Sequence, residues 1–400
     1  MKTGRIVILI VLLGTLLTSL PAQTELPKTP QEWVKLRTQF IEENPGNEIW
    51  YAERGRAHAG SGNLDEAIKD FTRAIELNPN YGGAYYDRAL IILKQGKKTE
   101  AIEELMISAT IDRDERNQDY PPEAYKKIVE LDPKDFRGHR GLGYITLFSQ
   151  GQWPSYDEAI AHFTTALKLK PKDVDSLKWR ATAYIRTEKF ALAAADLTQA
   201  ILLKPSFELY TLRAEANDKL GKTAVAAADT RKAETLSPEP AMKRAAEART
   251  ANNLEIAINE YSKAIDLGST KAYRERGKLY IRQHRYDLAL ADLKQARVWH
   301  YDDFEVELGR GEIYSRLDDF PKALSAYSRV ALKAEDKTAI LFALDKRADM
   351  LLELEKPQLA IKELRRRWQI LCDLGNRSAA EIERKRLQQM GLKENLTCLN

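Results

Sequence analysis

Leu64-Asp65-Glu66-Ala67-Ile68-Lys69-Asp70-Phe71-Thr72-Arg73-Ala74-Ile75-Glu76-Leu77-Asn78-Pro79 is the stretch on which the reading of this chain turns. The phrase recurs: Tyr156-Asp157-Glu158-Ala159-Ile160 runs on to Phe163, Ala166 and Pro171, and Ala193 runs on to Leu197, Ala200 and Pro205. Its central alanine has counterparts at Ala67, Ala101, Ala159, Ala193, Ala226, Ala257, Ala289, Ala323 and Ala360. Twelve residues before each of them (sixteen in the third unit) stands a small residue: Gly55, Ala89, Gly143, Ala181, Ala214, Ala245, Gly277, Gly311 and Ala348. In the fourth unit Leu177, Ala181 and Tyr184 lie at i, i+4 and i+7, one helical face, and Ala193, Leu197 and Ala200 make the matching face of a second helix. Small residues let two helix axes approach, and a proline at the end fixes the stop.

This register resembles the tetratricopeptide repeat, a unit of about 34 residues that folds as two antiparallel helices. The family's pattern has Gly or Ala at position 8, Ala at 20, a large apolar residue at 24, Ala at 27 and Pro at 32. Position 24 is occupied by Phe71, Leu105, Phe163, Leu197, Tyr261, Leu293, Tyr327 and Leu364, with Thr230 as the departure. Position 27 departs at Ser108, Val330 and Arg367. The resemblance implies an all-α, right-handed superhelical solenoid of nine units, beginning near residues 48, 82, 136, 174, 207, 238, 270, 304 and 341. A single unit cannot bury its apolar face alone, so stacking completes the core.

The organisation expected is a signal peptide over 1–22, a linker and capping helix over 23–47, two units over 48–111, an irregular stretch over 112–135, seven units over 136–374, and a capping helix with tail over 375–400. The irregular stretch combines a charged loop, Asp112 to Asp119, with an unpaired helix near 121–131, and so suggests a kink or mobile joint. A four-residue insertion, Gln152-Trp153-Pro154-Ser155, lengthens a turn in the third unit. Terminal repeats need caps. Thr29-Pro30 starts a helix whose Trp33, Leu36 and Phe40 share a face. Ser378 with Glu381 reads as the cap of a last helix, with Ile382 and Leu387 facing the ninth unit and Gly391 as its stop.

Met1 to Arg5 carries two positive charges, Ile6 to Leu20 is apolar, and Pro21-Ala22-Gln23 follows, which is the pattern of an export signal cleaved after Ala22. The alternative is that residues 6–20 stay as an uncleaved anchor of a membrane-tethered assembly factor. The formal net charge of +4 is spread along the chain, which argues against a nucleic-acid binder with a concentrated basic stripe. Export places the two cysteines, Cys372 and Cys398, where they can pair.

Signatures of catalysis are missing: there is no Gly-rich phosphate loop, no G-x-S-x-G and no H-E-x-x-H. The five histidines are scattered over different repeat positions, His58 at a packing position, so neither metal nor cofactor is expected. Binding of a protein or peptide partner remains. In the family, first helices line a concave groove and positions 2, 5, 9, 12 and 13 face the ligand. By resemblance, the third unit offers Arg137, Arg140, Tyr144, Leu147 and Phe148. The fourth offers Asp175, Lys178, Thr182, Ile185 and Arg186. The seventh offers Lys271, Arg274, Lys278, Ile281 and Arg282. The fifth, eighth and ninth are acidic, through Glu208, Glu215, Asp218, Glu305, Glu312, Asp345 and Asp349. Arg274, Lys278 and Arg282 are spaced by four, a stripe suited to gripping a carboxylate. The family's clamp pairs such bases with Asn on preceding helices, and Glu215 and Ala246 stand at those positions here.

Overall fold

The computed structural model describes residues 27–114, 121–148, 155–299, 304–392, 394 and 396–398. Every regular element among them is a helix. The expected leader, most of the third-unit insertion and residues 115–120 lie outside the described residues.

α1 (Pro30–Glu43) opens with a capping box, in which Thr29 and Glu32 each bond the other's backbone. Antiparallel pairs follow: α2 (Glu48–Gly60) with α3 (Leu64–Leu77), and α4 (Gly82–Lys94) with α5 (Lys98–Asp114). The unpaired α6 (Pro121–Leu131) comes next. The pairs then resume as α7 (Phe136–Phe148) with α8 (Tyr156–Leu169), α9 (Val174–Arg186) with α10 (Phe190–Leu203), and α11 (Phe207–Lys219) with α12 (Thr223–Thr235). They continue as α13 (Glu239–Thr250) with α14 (Leu254–Asp266), α15 (Lys271–Arg282) with α16 (Tyr286–Trp299), and α17 (Phe304–Arg316) with α18 (Phe320–Lys333). α19 (Lys337–Glu353) and α20 (Pro357–Asp373) make the last pair, and α21 (Arg377–Gln389) covers it. The architecture is the all-α solenoid that the register implies.

The structure differs from expectation at three helix boundaries and at one inward-facing position. α5 runs through Asp112-Arg113-Asp114, which read as the start of a loop. α19 begins at Lys337, four residues before the expected 341, because Asp336 accepts from the backbone N–H groups of Thr338 and Ala339 and so caps it there. Asn376, not Ser378, caps α21, its side chain accepting from the Ala379 N–H, while Glu381 pairs with Arg384. Ile382 is 69% exposed; the face turned inward is Ala380, Glu383 and Leu387, with Arg367 reaching Glu383.

Positions 8 and 24 interlock directly. The ring of Phe71 covers Gly55, and a Cβ built on Gly55 would stand 2.9 Å from it. Tyr327 covers Gly311 in the same way, at 2.6 Å. α6 joins the stack as a member, not a spacer: Ala124, Tyr125 and Ile128 are buried with Ala89, Leu105 and Ala109 of the second unit.

A polar feature accompanies this apolar register and was not anticipated. An arginine at position 7 grips a carboxylate sixteen residues later, on the second helix of its own unit. The pairs are Arg54–Asp70, Arg88–Glu104, Arg180–Asp196, Arg213–Asp229, Arg244–Glu260, Arg276–Asp292 and Arg347–Glu363, at 2.7 to 2.8 Å. The same guanidinium donates to a hydroxyl of the preceding helical layer: Thr38, Thr72, Thr164, Thr198, Ser262 and Ser328 in turn. Each of the seven arginines therefore ties two helices of one unit, and all but Arg244 also reach the layer before. Arg231 stands where Arg244 would find its hydroxyl, and Arg244 is accordingly 56% exposed, against 19% for Arg213 and Arg276.

The eighth unit breaks this rule. Ala326 replaces the carboxylate, and Arg310 turns to Glu307 at 3.2 Å. Glu307 also binds Arg329, which in turn reaches Glu48 at the start of α2. Ser325 and Asn78 complete the set, both donating to Glu48, at 3.0 and 2.9 Å. Gly46 rests against Leu324, and α3 touches α18. The stack thus curves far enough to bring its first unit onto its eighth. Two carboxylates and two guanidiniums balance inside this contact, which keeps any single charge from being buried alone.

Candidate functional site

Neighbouring first helices touch along the stack, as α2 with α4, α7 with α9, α9 with α11, α15 with α17, and α17 with α19. Elements on the inside of a curve are the crowded ones, so the first helices form the inner wall. The candidate residues all sit on them, in α7, α9 and α15.

Most of the candidate bases already hold carboxylates of their own chain. Arg137 binds Asp135 at 2.7 Å and Glu103 at 2.8 Å. Those hydrogen bonds hold its guanidinium above the ordinary arginine value; burial pushes Asp135 up, and Arg137 overcomes this to keep it below the usual carboxylate range. Arg140 reaches forward to Asp173 and Asp175. Lys178 reaches forward to Glu208 at 3.0 Å. Arg274 and Lys278 both meet Glu275 and, one unit on, Glu305. Arg282 donates to Asn252 at 3.1 Å. Arg186 is exposed in the last turn of α9. A ladder results, in which a base at position 5 meets an acid at position 2 of the next unit: Arg140 with Asp175, Lys178 with Glu208, Arg274 with Glu305. Of the acidic bands read from the sequence, Glu208 and Glu305 are therefore partners of the basic ones. At the far end, Arg386 of α21 takes Asp345 and Asp349.

One part of the wall is not built from charge. Tyr144 and Phe148 of α7 and Trp179 of α9 form a triangle with ring centroids 4.7 to 5.2 Å apart. Phe148 is 47% exposed, and the Lys178 ammonium lies 4.0 Å over the Trp179 ring. Trp179 was missed as a site residue because position 6 is not among the family's ligand-facing positions; the signal was an aromatic one unit on from Tyr144. Among the described residues the histidines do not form one cluster. His139 and His162 approach at 6.1 Å, His58 is half-buried 3.9 Å from Asp70, and no group of three metal-binding side chains occurs among the described residues. Cys372 and Cys398 are joined, with Cα atoms 5.4 Å apart, which ties the tail to α20.

The register on which these side chains hang is matched independently by a family model described as "Tetratricopeptide repeat", over residues 53–114, 155–201 and 274–340. The chain contains tetratricopeptide repeats. These repeats are 32% identical over 97 residues to serine/threonine-protein phosphatase 5 of Mus musculus, covering 24% of this chain and 19% of that protein. They are 35% identical over 95 residues to small glutamine-rich tetratricopeptide repeat-containing protein 2 of Saccharomyces cerevisiae, covering 24% of this chain and 22% of that one. The chain thus spans about a fifth of the length of these curated relatives. The crystal structure of the yeast Tom70 aligns with 90% of this chain and 89% of its own at 17% identity, with a TM-score of 0.29.

Proposed function

We propose that this chain is an exported tetratricopeptide scaffold that holds a protein or peptide partner in its inner groove and performs no catalysis. The observation that carries the binding reading is the aromatic triangle of Tyr144, Phe148 and Trp179. Aromatic side chains half-open to solvent and rigidly packed against one another are the usual energetic centre of an interface. The Lys178 ammonium lies over the Trp179 ring, and the charge ladder stiffens the wall on which the triangle stands. Export is supported by the basic and apolar opening, Lys2 to Leu20, and by a cysteine pair within bonding reach, which suits an oxidising compartment. Among the described residues no helix is long and apolar enough to cross a membrane.

Peptides selected from a random displayed library against the purified chain test the groove. Their affinity for the Phe148→Ala and Trp179→Ala variants should fall by about tenfold or more. Peptides that bind both variants as tightly as the parent chain would sink the reading. N-terminal sequencing of the protein recovered from cells tests export, with a new terminus at Gln23 expected.

A further inference from the structure

One extra helix changes which side of the chain borders the groove. A regular unit adds two helices, so first helices keep to one row and second helices to the other. α6 adds a single helix, and the two rows exchange there. Before it, α2 touches α4, first helix to first helix. After it, the helix that α7 touches across the row is α5, a second helix. Arg137 records the same exchange. At position 2 it should look back to a first helix, yet it reaches Glu103 at position 22 of α5, 2.8 Å away. On the second helices of regular units position 22 is exposed on the outer side, as at Ala195, Ala228 and Ala291. In α5 that side abuts the inner wall and lengthens the groove by one helix.

One turn on from Glu103, on the same side of α5, stands Ile107 at position 26. It is 41% exposed, with α16 also touching α5. Position 26 is polar in every other unit, from Arg73 and Thr165 to Gln295 and Arg366. The one aliphatic residue at this position thus falls on the second helix that the exchange of rows brings to the groove.

The charges around it are matched within the chain. Glu103 and Asp135 hold Arg137, Asp173 and Asp175 hold Arg140, and Glu208 holds Lys178. Lys97 stands 3.8 Å from Glu100 at the start of α5, and Arg186 is exposed in the last turn of α9. A ligand lying from α5 to α9 therefore meets open apolar side chains between charges that already have partners.

We propose that Ile107 and the triangle of Tyr144, Phe148 and Trp179 receive two apolar side chains of one extended, uncharged segment of a partner protein. This rests on the groove reading above and names the chemistry of its ligand. The triangle lies one to one and a half helix spacings from α5, roughly 10 to 15 Å. An extended chain rises about 3.3 Å per residue, so the two apolar residues stand about three to five positions apart.

Peptides selected from a random displayed library against the parent chain are sequenced, synthesised and titrated by fluorescence anisotropy. The sequences should carry two apolar residues at that spacing with no acid between them. Ile107→Gln installs the residue that Gln199 supplies at the same position, and it should weaken a selected peptide by about fivefold or more. Gln199→Ile should leave the affinity unchanged. Serine in place of one apolar residue of the peptide should remove the sensitivity to Ile107→Gln, and serine in place of the other the sensitivity to Trp179→Ala. A peptide weakened by Trp179→Ala and indifferent to Ile107→Gln overturns this inference and leaves the groove reading standing. A peptide indifferent to both sinks the groove reading as well. Equal loss on Ile107→Gln for the intact peptide and both serine peptides also overturns the inference, since the side chain would then act on the fold and not on the ligand.

Discussion

Glu48 and Arg329 lie 281 residues apart and form a 3.1 Å ion pair with both side chains about nine-tenths buried. Burial works against the Arg329 charge, but Glu307 and Glu48 outweigh it and hold the guanidinium above its ordinary value. The pair fastens one end of the superhelical turn to the other. Glu48→Ala removes the acceptor shared by Arg329, Ser325 and Asn78, and the expected loss is about 3 kcal/mol of local stability. Hydrogen exchange should quicken together at residues 44–50 and 321–329, with α9 unchanged. Quickening in only one of the two segments would mean that the contact does not hold in solution.

Gly311 and Tyr327 make a coupled pair. A methyl group at Gly311 meets the Tyr327 ring, so Gly311→Ala should cost about 2 kcal/mol by overpacking. Adding Tyr327→Leu recreates the alanine–leucine combination that Ala181 and Leu197 use in the fourth unit, and it should recover most of that loss. Gly277→Ala, where the built Cβ meets Leu293 at 3.3 Å, should cost less. Thermal denaturation of the four chains would expose a failure if the double variant melts below Gly311→Ala.

Arg180 and Arg244 occupy the same repeat position with different surroundings. Arg180→Ala leaves Asp196 buried without its partner, which costs about 3 kcal/mol. Arg244 is largely exposed, and Lys263 also holds Glu260, so Arg244→Ala should cost under about 1 kcal/mol. Equal losses in chemical denaturation would refute the staple as described.

Glu305 links the groove to pH. The hydrogen bond from Lys278 holds its carboxyl below the usual range, outweighing burial, with Arg274 adding to the effect. A depressed folded value means that the pairing stabilises above the ordinary carboxylate value of about 4.3 and is lost as pH falls through the folded value. Arg274 and Lys278 therefore lose this counter-charge only in acid. Glu305→Gln removes it at neutral pH, and an acidic probe peptide should then bind the groove more tightly than it binds the parent chain. An unchanged affinity by fluorescence anisotropy would separate Arg274 and Lys278 from ligand binding.

How far the sequence alone reaches follows from the range of each interaction. The helix starts near 48, 82, 136, 174 and 207 were legible because position 8 and position 24 are sixteen residues apart in one unit and repeat, so each copy corroborates the others. The extra helix at Pro121–Leu131 was legible by the same rule, as a unit missing its partner. The position 7 arginines obey that spacing too and went unread only because polar residues on helices are expected to face water. The caps at Asp336 and Asn376 were misjudged because several polar residues in a row can each start a helix, and packing chooses among them.

The sequence by itself thus determined the elements, their pairing and the small-against-large packing within each unit, all of them local consequences of a repeated pattern. Which groove bases are neutralised was decided by tertiary structure, since Arg140, Lys178 and Arg274 find their carboxylates on the next unit. So was the role of Glu48, which reads as one more acid at a helix start. Its burial depends on the small rotation between successive units, summed until Arg329 arrives beside it, and no single repeat encodes that sum.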